Sequence, residues 1–240
     1  MLKTCAALLL CLVAFASFLA AQQPPACSTP CKLCEPSIAR VPPLDALLAG
    51  NARFIKRGGA EHWHQTVECG INSACCPQKP IAVILSCSDS RVPPEVIFDL
   101  GIGDLFVVRE AGNVATPGVL GSIEYAVDPH HLGAKLVVIM GHKRCGAVEA
   151  AFCPEPKEHL LTLWTLIRPA VPEGWRRKEC IPHPVPEITA TEWERVVRKN
   201  IDNMTEKVKE DLQVLGLLSG VSVVPAYYDL DKGSVELPKK

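Results

Sequence analysis

The sequence predicts an α/β fold, with a mostly parallel central sheet flanked by helices and an N-terminal helical arm ahead of it. Three observations predict it. First, four short apolar runs rich in β-branched residues (IAVILS, DLFVV, KLVVIM and VSVVPAYY) read as strands covered on both faces. Second, helical stretches fall between them: PPEVIFDLG, PGVLGSIEYAV, GAVEAAF, HLLTLWTLI and the long TEWERVVRKNIDNMTEKVKEDLQVL. Third, no internal repeat or second composition regime appears, and a chain of 240 residues with 48% hydrophobic content can bury one sizeable core.

Taken in order, residues 1–21 read as a signal peptide. Lys3 precedes the apolar stretch from Ala6 to Ala20, and the small residues Ala20 and Ala21 follow before Gln22. No other segment has the roughly 20 apolar residues that a membrane span needs, so no membrane association is expected after cleavage. Residues 22–43 form an arm rich in Pro, Cys, Ser and Thr without hydrophobic periodicity. Leu44, Leu47, Leu48, Phe54 and Ile55 then recur at helical spacing, predicting an amphipathic helix from Leu44 to Lys56 that stops at Gly58-Gly59. His62 to Lys79 is an irregular, cysteine-rich loop, and the α/β pattern fills the rest of a single domain over 44–240.

The formal charge is −1, and it carries no basic footprint of the kind nucleic acid requires. Twelve cysteines are many for such a chain. Cys5 and Cys11 leave with the leader, and if Cys87 and Cys145 serve another purpose, eight are left to pair, in any of 105 connectivities. Such usage fits an exported protein, periplasmic or secreted.

Two of the predicted strands run directly into metal-ligand types: IAVILS into Cys87, and KLVVIM into Gly141, His142 and, three residues on, Cys145. Open α/β sheets build their sites at the carboxyl ends of strands. A Cys, His, Cys set with a fourth position open suits catalytic zinc. Spacing alone also fits a buried core thiol at Cys87, a disulfide at Cys145 and a core histidine at His142. Asp89 and Arg91 weight the choice. In an extended segment residues i and i+2 share a side, so the arginine fork can hold the carboxylate ionised beside Cys87. There it can accept a hydrogen bond from zinc-bound water or hydroxide. Two thiolates also offset the metal's charge, so the bound water should titrate above the roughly 7 of a three-histidine site, and activity should favour neutral to alkaline pH.

CSDSRV at Cys87 to Val92, with GHKRCGAV downstream, resembles the β-class carbonic anhydrases. The likeness extends through LLAGNARF, QKPIAVILS, GDLFVVREAGN, GSIEYAV and AYYDLDKGSVE, from Leu44 to about Glu236. The resemblance implies one Zn2+ per subunit on Cys87, His142 and Cys145, and Asp89 with Arg91 as a catalytic dyad. Gln78, Phe106, Tyr125 and Gly146 are implied as the residues that meet CO2 or bicarbonate. It further implies a homodimer or higher homo-oligomer whose N-terminal helix lies over the neighbouring subunit. The expected reaction is reversible hydration of CO2 to bicarbonate and a proton. His62 and His64 are candidates for carrying that proton to solvent. The cysteine-rich arm and loop depart from intracellular relatives and suit an exported member of bacterial type.

Three rival readings stand beside this one. The same fold and zinc set can hydrolyse carbonyl sulfide or carbon disulfide, or hold zinc in a catalytically silent assembly module. CSTPCKLC also has the cysteine spacing of an iron–sulfur radical enzyme, although a proline-rich arm after a signal peptide is the wrong context for one.

Overall fold

The four apolar runs become the parallel strands of one five-stranded sheet, in the order β2-β1-β3-β4-β5. The computed structural model describes residues 41–57, 78–179 and 188–237. Residues 1–40, which hold the expected signal peptide and all but the last three residues of the expected arm with CSTPCKLC, lie outside the described residues, as do His62 and His64. The strands are β1 (Ala82–Ser86), β2 (Leu105–Arg109), β3 (Leu136–His142), β4 (Ser222–Asp229) and β5 (Ser234–Glu236). The first four pair in parallel, while β5 turns back antiparallel on β4. Every residue of β1 and β3 is buried, which is why both read as unbroken apolar runs rather than as an alternation.

The helices are α1 (Pro43–Arg57), α2 (Pro94–Ile97), α3 (Pro117–Val127), α4 (Gly146–Ala150), α5 (Leu160–Ile167) and α6 (Ala190–Val214). Successive strand residues serve opposite faces of the sheet. Val83, Leu85, Val137 and Ile139 pack with Ile123 of α3, Val148 of α4 and Val197 and Ile201 of α6. Ala82, Ile84, Val138 and Met140 pack with Leu47 of α1 and with Ile97 and Phe98 around α2. Among the described residues no helix is long and apolar enough to cross a membrane.

PPEVIFDLG yields a helix of only four residues. Asp99 adopts φ 45° just after it, and the Leu100 amide reaches back to the Glu95 carbonyl at 2.9 Å, which closes the helix in a left-handed cap. Arg53 of α1 holds that cap through an ion pair to the Asp99 carboxylate at 2.6 Å. Next to it, Gly50 lies against the Phe98 carbonyl, so that a Cβ there would fall 1.7 Å from the oxygen. Asn51, 4% exposed, donates to the carbonyls of Ile97 and Gly233 at 3.1 and 2.9 Å and accepts from the Val235 amide at 2.9 Å.

α6 opens on a capping box. The Thr189 hydroxyl accepts from the Glu192 amide at 3.2 Å, and the Glu192 carboxylate accepts from the Thr189 amide at 2.9 Å. Thr189→Ala is expected to lower stability by about 1 kcal/mol, read as a shifted denaturation midpoint at unchanged slope.

Candidate metal centre

β1 and β3 are adjacent and parallel, with Ser86 level with Met140, so Cys87 leaves the sheet beside Gly141 and His142. The chain after His142 bends through Arg144, at φ 53°, and brings Cys145 back to the start of α4. Cys87, His142 and Cys145 form a buried group whose donor atoms all lie within 4.8 Å of one another, and it can hold a metal ion. The two sulfurs are 3.8 Å apart, and both thiols are free.

The donor chemistry fits a divalent cation. His142 is wholly buried. Its Nδ1 is 3.0 Å from the Lys143 carbonyl, a contact that places the proton on Nδ1 and leaves Nε2 as a lone pair. Nε2 is buried without a hydrogen-bond partner among the described residues. As a bare pair the two thiols shift in opposite directions. The hydrogen bond from Cys145, with smaller help from His142 and the Gly112 amide, lowers the Cys87 thiol against the burial that opposes it. The same contact and burial push Cys145 up. A cation between them would let both ionise.

Asp89 lies at the edge of this group, its Oδ2 3.8 Å from His142 Nε2. Arg91 grips it through Nε and NH2 at 2.9 and 2.7 Å. The pairing expected from the sequence is present, but the backbone is a turn rather than an extended strand. The Arg91 amide donates to Asp89 Oδ1 at 2.9 Å, and the Val92 amide to the Asp89 carbonyl at 3.0 Å. An aspartate that accepts its own backbone two residues on favours this turn over extension.

The Arg91 side-chain bonds come first in holding the Asp89 carboxyl down at about 2, from 3.8. A depressed carboxyl contributes stability above its unfolded pKa and loses it as the pH falls through the folded value. Here that window runs from 3.8 down to about 2. The Asp89 carboxyl carbon should therefore titrate near 2 by NMR, and Arg91→Leu should move its midpoint up toward 3.8.

Other groups hold these segments in place. Arg109, at the end of β2, donates to the carbonyls of Cys87 and Asp89 at 3.1 and 2.6 Å. The Gly112 amide donates to Cys87 Sγ at 3.2 Å, from a 3-10 turn over Ala111–Asn113 where Gly112 has φ 73°. A Cβ on Gly112 would also displace Ile167 Cδ1, 2.6 Å away, but it is the left-handed conformation that favours glycine there. From α6, the Trp193 indole donates to the Cys145 carbonyl at 3.0 Å, and the Asn200 amide to the Gly112 carbonyl at 2.9 Å.

The family model for carbonic anhydrase matches residues 82–235, which takes in β1 to β4 and all but the last residue of β5. This chain belongs to the carbonic anhydrase family. "Carbonic anhydrase" of Mycolicibacterium smegmatis is 39% identical over 202 residues, covering 80% of this chain and 90% of its own. "Carbonic anhydrase 2" of Mycobacterium tuberculosis is 53% identical over 106 residues, covering 44% of this chain. That match spans 49% of the relative, about half its length. The solved β-carbonic anhydrase CafA of Aspergillus fumigatus is similar at a TM-score of 0.57 and 27% identity, covering 82% of this chain and 90% of its own. The β class resembled by the sequence is thus the class of the family to which this chain is similar in fold.

In this carbonic anhydrase family member, the remaining residues singled out from the sequence are not all gathered at the metal centre. Gly146 is exposed at the start of α4, where a Cβ would meet nothing within 4 Å. Phe106 pairs in register with Val83, four residues before Cys87 and so about 13 Å back along the strand. It stacks with Tyr125, ring centroids 6.2 Å apart, and Tyr125 is 43% exposed. Gln78 is exposed ahead of β1, with the full strand between it and Cys87. The metal group and dyad form one cluster and the aromatic pair another.

Proposed function

We propose that this chain catalyses the reversible hydration of CO2 to bicarbonate and a proton, with one zinc ion per subunit on Cys87, His142 and Cys145. The observation that carries this reading is the pinned, ionised Asp89 carboxylate at 3.8 Å from the one unpartnered ring nitrogen of the donor group. When bound, zinc supplies a Lewis acid with a fourth position open, which lowers the pKa of water there. Asp89, ionised and so an acceptor only, receives the hydrogen bond of the attacking oxygen and turns its lone pair toward CO2. Arg91 keeps that carboxylate charged and fixes its orientation. The Gly146 amide, free of any side chain beside it, offers a donor to bicarbonate.

Gln78, Phe106 and Tyr125 are read as the wall that holds CO2, contributed across an interface by a second copy. Their separation from the metal group within one chain supports this, as do the exposed Leu48 and Ile55 on α1, at 42% and 48%. The protein is read as a homodimer or higher homo-oligomer. Export to the periplasm or beyond, after loss of residues 1–21, is supported by Cys153, which is buried and disulfide-bonded; an intact mass of mature protein beginning at Gln22 would test it.

Stopped-flow CO2 hydration with a pH indicator tests the activity. Zinc-loaded protein should turn over rapidly at alkaline pH, and removal of the metal by a chelator should abolish the rate. No turnover above buffer with zinc bound would move the substrate to carbonyl sulfide or carbon disulfide, or leave a silent module.

A further inference from the structure

One face of α6 reaches all three ligand segments. Trp193 holds the Cys145 carbonyl at 3.0 Å, and Asn200 holds the Gly112 carbonyl at 2.9 Å. Ile201 fills the space beside Gly141, immediately before His142, so that a Cβ on Gly141 would lie 2.6 Å from Ile201 Cγ1. Positions i, i+7 and i+8 share a helix face. Of these contacts, the Asn200 bond stands one peptide from a ligand atom: the residue whose carbonyl it holds donates its N–H to Cys87 Sγ at 3.2 Å.

We propose that Asn200 is a positioning residue of the metal centre, holding Gly112 so that its N–H stays aimed at Cys87 Sγ and tunes the charge this thiolate gives the metal. The inference rests on reading Cys87 as a metal ligand. Gly112, at φ 73° and ψ 17°, belongs to the residue type with the widest choice of backbone conformations. An anchor on its carbonyl therefore limits where the flanking amide points. Asn200 is wholly buried, and its Oδ1 has no partner among the described residues. Burying that oxygen unpaired is unfavourable, so packing alone would be served better by an apolar side chain of the same size. The donor bond to Gly112 is what the amide adds. Groups one shell out from a metal change its affinity by roughly 10- to 100-fold when removed.

The test uses the full mature protein with Co2+ in place of zinc, reading the near-ultraviolet thiolate-to-cobalt charge-transfer band. Wild type is compared with Asn200→Leu, which keeps the size and removes the donor, and with Trp193→Phe, which removes a bond to a carbonyl rather than one leading to sulfur. Asn200→Leu should move the band to lower energy, because a thiolate relieved of its N–H bond gives up charge more readily. It should also weaken cobalt binding roughly ten-fold in chelator competition. Trp193→Phe should leave the band in place. Asn200→Ser, too short to reach Gly112, serves the same comparison if the leucine variant does not fold.

A wild-type band that neither Asn200 variant moves, or that Trp193→Phe moves equally, overturns the assignment of Asn200 alone. Absence of any thiolate band in cobalt-treated wild type overturns the metal centre itself and the inference with it.

Discussion

An Asp89→Ala variant is expected to lose roughly 10²- to 10⁴-fold in CO2 hydration, the usual contribution of a positioned proton-accepting side chain, while retaining its metal. The two halves of that expectation have separate structural grounds. The carboxylate is the group that faces His142 Nε2 at 3.8 Å, and its removal takes away the acceptor it supplies at that edge of the donor group. The turn that carries Cys87 is held independently, because Arg109 bonds the main-chain carbonyls of Cys87 and Asp89 rather than the Asp89 side chain. Truncation should therefore spare the ligand's position. Stopped-flow rates together with metal analysis of the same sample check both halves, and a near-normal rate at full metal content would remove Asp89 from the chemistry.

Gly50→Ala should be strongly destabilising, although it adds a single methyl group. In an unconstrained helix this change favours folding by about 1 kcal/mol. Here the new Cβ would stand 1.7 Å from the Phe98 carbonyl oxygen, a main-chain atom that no rotamer change can move aside. α1 must lift, and lifting it strains the three Asn51 hydrogen bonds to Ile97, Gly233 and Val235. Overpacking of this kind together with loss of buried bonds is expected to cost about 3 kcal/mol, so the clash outweighs the propensity. Chemical denaturation of the variant against wild type measures the difference; equal midpoints would mean that α1 is not seated on Phe98 in solution.

The sheet was legible because its strands are parallel and buried on both sides, which turns each into a plain apolar run. β5, three residues long and antiparallel, carries no such run and was not expected. Helix positions were legible but their lengths were not. The stop after Ile97 depends on a left-handed Asp99 held by Arg53, a partner 46 residues away. The metal group could be read because each ligand ends or closely follows a strand, and strand ends meet. Its supports could not. Arg109, Trp193 and Asn200 act on main-chain carbonyls at separations of 22, 48 and 88 residues, and a carbonyl has no signature in a sequence. The one local hint was Gly112 in REAGN, whose glycine marks a special backbone position without saying what its amide faces.

The Asn51 clamp also bears on the order in which the chain assembles. Its side chain joins α1 to Gly233 and Val235 across 182 and 184 residues, among the longest loops this chain can close. Contacts of such separation are the last to repay the entropy of closing them. A ribosome delivers α1 long before the hairpin of β4 and β5, so the helix can meet Ile97 and Phe98 early while the Asn51 bonds to Gly233 and Val235 wait for the end of the chain. Among the described elements, the first to be made completes its bonds only once the last strand is in place.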